Sequence, residues 1–250
     1  MRDIKTFARA FLIVLGAVSL SWVGFAVPPF GMAATKNEVT ARLLADDRFK
    51  PGALRESLAV FTGRAKWFPE YSKITRAEAL MKIRIAEESI RSIDLQEAGT
   101  EKVHAKASIL SSLASNPGDA YLWLALYSTQ LLSEGFDSEA ISYLDTSYFL
   151  GPMEGWIAIR RNRLALAAFP MLDESLQAKV VSEFCALVSS EFIDAAVFNF
   201  VGVGWQQRNR LLQGISQIHI LPRTLFAKRL ANEAVSISIP GVSIDERFWR

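Results

Sequence analysis

The chain has 250 residues, half of them in the hydrophobic class, and a formal net charge of +2. It is too apolar to be a disordered chain, and its near-balanced charge argues against a nucleic-acid binder, which needs clustered basic residues to displace counterions. Cys185 is the only cysteine, so no intramolecular disulfide and no cysteine-based metal site can form, and its apolar setting "VSEFCALV" predicts a buried, inert thiol.

The amino-terminal segment, residues 1–34, has the order of a secretory signal. Arg2, Lys5 and Arg9 precede the apolar run "FLIVLGAVSLSWVGFAV", and "PPFGMAAT" follows with small residues suited to cleavage near Ala33 or Ala34. The same segment can instead stay as an anchor. Ala10 to Ala26 carries no charge, close to the length of about 17–25 residues that a span needs. Pro28 and Pro29 then end its helix, and the basic residues before it keep its amino end in the cytoplasm. Either way the rest of the chain is expected across the membrane, periplasmic or anchored facing the periplasm. A buried amino-terminal helix of a cytosolic protein is the remaining alternative.

Residues 35–74 read as a connecting region. "KNEVTARLLADDRF" can form a short helix, and Pro51, Gly52, Gly63 and Pro69 exclude a long element after it. Phe61, Trp67, Phe68 and Tyr71 are too many aromatics for a free linker and are expected to pack on the helical region after them.

Residues 75–234 are expected to form a helical domain. Thr75 and Glu78 have capping-box spacing, and Ala79, Ile83, Ala86, Ile90 and Ile93 recur as one stripe. Glu97 to Thr100 marks a break before a second helix, from about Glu101 to Ala114. Asp119 caps a third helix that stops at Gly135, and Asp137 a fourth that stops at Gly151 and Pro152. A fifth stops at Pro170, and Asp173 opens a sixth. Shorter helices follow around residues 191–200, 206–217 and 222–234. The tail, 235–250, alternates apolar residues with serine in "VSISI" and predicts a short extended strand, with Phe248 and Trp249 as an anchor. The expected fold is all-α: antiparallel helix pairs joined by short loops, with one amino-terminal hydrophobic helix and an extended carboxyl tail.

Two of the pairs share a register. Ala105, Ile109 and Pro117 are separated by four and eight residues, and Ala140, Leu144 and Pro152 repeat those separations. Ser112 and Ser147 fall at a common offset, and the two prolines are thirty-five residues apart. Trp123 and Leu126 lie three apart in the first helix of the better copy. Over roughly residues 76–168 this pattern resembles the tetratricopeptide repeat, whose period is about 34 residues. Tyr127 stands where that family has glycine, Gln130 where it has tyrosine, and Ser89 where an earlier copy needs an aromatic. The resemblance implies a short solenoid in which a small residue admits the partner helix, a large one fills the groove, and proline ends the helix. It also implies protein binding and a non-enzymatic scaffold or adaptor role in the bacterial cell envelope, by analogy in polysaccharide synthesis or export.

No catalytic motif and no cofactor site is legible. His104 and His219, the two histidines, lack a metal-ligand spacing and are expected to be structural. Gly202 and Gly204 form a lone G-x-G, better read as a turn. The unusual stretch is "WIAIRRNRLAL". Trp156, Ile159, Leu166 and Ala167 are placed on one helix face, with Arg163 inside it, Arg160 beside it and Arg161 pointing elsewhere. A charge on an apolar stripe is costly unless paired. Two readings follow: Arg160 and Arg163 pair with Asp137 or Asp145 of the neighbouring helix, or Arg160, Arg161 and Arg163 form a surface for an acidic peptide or anionic glycan. An envelope protein partner is expected, with the membrane reached through residues 10–26 if they remain, and no nucleic acid. A glycan-directed envelope enzyme with an unrecognised site, and a structural subunit of an inner-membrane complex, are the alternatives.

Overall fold

The computed structural model describes residues 11–23, 52–62, 71–91, 95–152, 154–190 and 192–243. Their regular structure is helical, as the periodicity predicts: α1 over residues 11–23, α2 (Ala53–Thr62), α3 (Tyr71–Arg91), α4 (Leu95–Ser115), α5 (Ala120–Ser133), α6 (Ser138–Leu150), α7 (Gly155–Ala167), α8 (Glu174–Ser189), α9 (Ile193–Val201), α10 (Arg208–Ile215) and α11 (Ile220–Asn232). The chain forms two compact units, Met1–Ser115 and Asn116–Arg250.

In the first unit, the thirteen described residues of α1 carry no charge, and each stands exposed. Among the described residues no helix is long and apolar enough to cross a membrane. α3 packs on α4 and on α2. Ala79 and Ala86 of the expected stripe are buried, together with Ile74, Ala77, Met81 and Ile85, whereas Ile83 is half-buried and Ile90 faces solvent. The proposed capping box at Thr75 is also absent, because α3 begins at Tyr71 and Glu78 instead pairs with Lys82 one turn on, at 2.7 Å. Glu97 to Thr100 is not a break but part of α4. Gly99 has open space around it, and the roughly 1 kcal/mol that a helical glycine costs is offset by the packing of α4. Lys82 Nζ also donates to Ser108 Oγ at 2.7 Å, and Arg55 pairs with Glu97 and Glu101, so α2, α3 and α4 are stapled by charge as well as apolar area. Of the aromatics expected to cover this unit, Trp67 and Phe68 lie outside the described residues.

In the second unit, the three predicted caps hold. Asp119, Asp137 and Asp173 each accept from backbone N–H groups of the first turn of α5, α6 and α8, which satisfies donors that a helix start leaves unpaired. α5 and α6 form a hairpin. After it the helices gather around α8, which packs against α7, α9, α10 and α11. The apolar centre is Phe184, Phe200 and Phe226, from α8, α9 and α11, with ring centroids 5.5–6.0 Å apart. Gly214 permits the close approach of α10, since a Cβ there would lie 2.7 Å from Val181 and 2.9 Å from Cys185.

The expected strand at 235–239 is not formed. The period-two alternation survives, with Ser236 and Ser238 exposed and Ile239 buried, but no second strand lies beside it among the described residues. Its hydrogen bonds go elsewhere: Val235 N donates to Leu230 O at the end of α11, and Arg223 donates to Pro240 O at 2.7 Å. Phe248 and Trp249 lie outside the described residues.

Candidate functional site

α7 begins just past the hairpin, and its three arginines take different directions from the helix. Its buried face is Ile157, Ala158, Arg161, Asn162, Ala165 and Leu166, one residue around from the stripe that the apolar letters suggest, so Trp156 is partly exposed and Arg161 faces inward. The reading of Arg161 as a surface group is therefore corrected: its exposure is 0 %.

Arg161 is held from every side. Nε and one terminal nitrogen donate to Glu183 Oε1 at 2.9 and 2.6 Å. Its terminal nitrogens also donate to Ser147 O at 2.6 Å and Gly151 O at 2.9 Å, at the end of α6, where Ser147 O also accepts from Gly151 N. The guanidinium lies 4.2 Å from the centre of the Tyr148 ring. Tyr148 completes the circuit by donating to Glu183 Oε2 at 2.7 Å. Beside it, Asn162 donates to Val180 O at 2.9 Å and accepts from Asn199 at 3.3 Å. One polar network thus joins α6, α7, α8 and α9. Burial pushes the Glu183 carboxyl up from its ordinary value, against the pull of Arg161, Tyr148 and Asn162. Burial, then Glu183, pushes the Tyr148 phenol well above its own.

The other two arginines behave differently. Arg160 is half-buried and donates to the Tyr121 hydroxyl at 2.7 Å, beside the Tyr121–Trp156 ring pair at 5.1 Å. Arg163 is exposed, its guanidinium 4.6 Å from the centre of the Phe198 ring. Of the carboxylates expected to meet Arg160 and Arg163, Asp137 caps α6 and accepts from Gln130 at 3.0 Å, and Asp145 pairs with Lys179 of α8 at 2.6 Å. The three arginines do not form one anion surface.

The repeat positions fall into two places. Ala105 and Ile109 are buried in α4 of the first unit, and Leu126, Ala140 and Leu144 in the α5–α6 hairpin of the second. Pro117 and Pro152 are exposed just after α4 and α6. Trp123 donates from Nε1 to Pro117 O at 2.8 Å and lies 5.8 Å from the Tyr143 ring. Ser147 Oγ donates to Ala120 O at 2.8 Å, joining the hairpin's two helices, whereas Ser112 Oγ is buried with no partner among the described residues. His219 caps α11 by accepting from Leu221 N, His104 is exposed, and burial pushes the half-buried Cys185 thiol up to about 11.

Glu183 and Tyr148 are not singled out by sequence reasoning. The signal existed: Val180, Glu183, Phe184 and Leu187 share the buried stripe of α8, so its one acid matched the one base on the buried face of α7. Among the described residues no cluster of three or more His, Cys, Asp or Glu is placed to hold a metal. No family model, curated protein or solved structure matches the chain.

Proposed function

We propose that the chain is a non-enzymatic scaffold of the bacterial cell envelope, built on a short tetratricopeptide-like stack that binds a protein partner. The observation that carries this reading is the matched burial of two second helices. Ala105, Ile109 and Ser112 on α4 and Ala140, Leu144 and Ser147 on α6 hold the same relative positions, and all six are buried. A small residue, a large residue and a second small residue in that order let a first helix lie close against the second. The Arg161–Glu183 network supports a structural rather than a chemical role, since each of its charged groups is engaged by another part of the core.

Export or anchoring belongs to the same proposal. It is supported by the order of basic residues before an uncharged apolar segment and by the exposed apolar surface of α1, which water disfavours. A role in polysaccharide synthesis or export follows only by analogy of architecture. If α1 remains attached, a structural subunit of an inner-membrane complex is the second reading. Affinity capture from crosslinked membranes, followed by mass spectrometry, tests both. A single envelope protein enriched over a tagged control is expected, and the amino-terminal peptide reports cleavage near Ala33. Turnover of cell-envelope glycan by the purified chain overturns the scaffold reading in favour of an enzyme.

A further inference from the structure

We infer that the outer face of α9 and α11 seats on an anionic lipid surface. α9 packs on α11, and two side-chain pairs set their register: Asp194 meets Arg229, and Phe200 meets Phe226 at 5.5 Å. These pairs advance along α9 while retreating along α11, so the helices run antiparallel. Asp194, Phe198 and Val201 share the outward face of α9, while Leu221, Leu225 and Lys228 share that of α11. The apolar members are not covered: Phe198 is 59 % exposed, Leu221 65 % and Leu225 56 %. Trp205, set edge-on against Phe200 just beyond the end of α9, adds an aromatic rim that is also partly exposed.

The charge around this surface is predominantly basic, and Asp194, the carboxylate on the face of α9, is paired with Arg229. Residues 195–232 contain five basic residues and no Asp or Glu. The carboxylates bounding that stretch, Asp194 and Glu233, both pair with Arg229. Arg163 lies over Phe198 and Arg208 over Trp205, at 4.6 and 5.2 Å from the ring centres, and Lys228 is exposed. Aromatic and leucine side chains flanked by cations are the chemistry of elements that rest at a bilayer interface, where rings enter the headgroup layer and cations meet anionic lipid. A bilayer is favoured over an acidic protein segment because the same chain carries α1, an uncharged apolar helix with every described residue exposed.

The inference rests on the membrane placement proposed above, and one experiment separates the two. The full chain with Cys185→Ala and Leu225→Cys, carrying an environment-sensitive fluorophore at the new thiol, is mixed with vesicles of phosphatidylcholine alone or with phosphatidylglycerol added. Flotation with neutral vesicles reads the apolar segment around α1. A blue shift of the label only on the anionic vesicles, lost in high salt, reads the α9–α11 face. A label at Ser142→Cys, on α6, is expected to stay silent. Arg163→Gln and Arg208→Gln each weaken the anionic response about fivefold. A chain that floats while the Leu225 label stays silent overturns the lipid face and leaves the membrane reading standing. A chain that floats only on anionic vesicles with the label responding supports the lipid face and overturns the apolar anchor, and a chain that floats on neither overturns both. A label that responds to soluble polyglutamate and to neither vesicle overturns the lipid face and makes the occupant an acidic protein segment.

Discussion

A guanidinium with no exposure has no water to fall back on, so Arg161 depends wholly on its partners. Removing the acid, in Glu183→Ala, takes away the carboxylate to which Arg161 and Tyr148 both donate and is expected to cost about 3–5 kcal/mol in chemical denaturation. Arg161→Met together with Glu183→Leu is expected to recover most of that loss, because a well-packed apolar pair can replace a buried ion pair nearly neutrally. Loss in the double variant equal to the sum of the two single losses would show that the groups act independently. The pH sign follows from burial. The folded Glu183 carboxyl holds its proton to a higher pH than the unfolded one, so its contribution is largest below the ordinary carboxylate value and declines as pH rises through the folded value. Tyr127 offers a second test. Its hydroxyl is buried without a partner among the described residues, and burial pushes the phenol up to about 12 from 10.0. Its contribution is complete below about pH 10 and is lost as pH climbs toward 12. Tyr127→Phe is expected to raise stability by about 1 kcal/mol, since the unsatisfied hydroxyl is removed, and to flatten the alkaline limb of the urea-midpoint profile.

Helix ends are where single residues decide an element. Gly135 follows α5 at φ +87°, and Ala234 follows α11 at φ +57°. Both occupy the left-handed position that glycine adopts freely and that costs a residue with a Cβ. Gly135→Ala should lower the melting temperature, and Ala234→Gly should raise it, each by the equivalent of about 1 kcal/mol. Starts and stops of this kind explain why the helices from α5 onward were legible: aspartates at 119, 137 and 173 and the breakers at 135, 151 and 170 speak locally. α3 and α4 were less legible because their boundaries are set by packing. Gly99 passes through a helix that tertiary contacts sustain, and Thr75 is simply a buried residue on the second turn. The tail shows the converse. Alternation in "VSISI" encodes which residues turn inward, but a strand also needs a neighbour, and no other stretch of the chain reads as one.

Across the molecule, the two compact units divide at "SNPGD", inside the region that carries the repeat pattern. The pattern records how a helix pair packs locally and says nothing of which pairs share a core. The same limit hid the polar network. Its members are spread over four helices, and the helical period had to be right to within one residue before Arg161 turned inward. A slip of one position rotates a helix by about 100°, enough to exchange Arg161 with Arg160 or Arg163 in any reading made from letters alone. A further signal lay in the composition and was not singled out: residues 195–232 hold five basic residues and no Asp or Glu.

The arginine that closes the end of α6 also has a consequence for how this chain can change. A repeat in an ordinary array behaves as a cassette: it can be duplicated, excised or moved, because each unit answers only to its neighbours. Here the hairpin's last carbonyls at Ser147 and Gly151 are bound by a side chain of α7 whose charge is balanced on α8. Excising residues 116–152 therefore removes more than one module; it strips a buried cation of its carbonyl acceptors. Such a deletion is expected to yield an aggregating or protease-sensitive product, while the same deletion with Arg161→Met and Glu183→Leu is expected to resist trypsin longer. The cluster acts as a lock on modularity, holding a shuffled-looking sequence to one length.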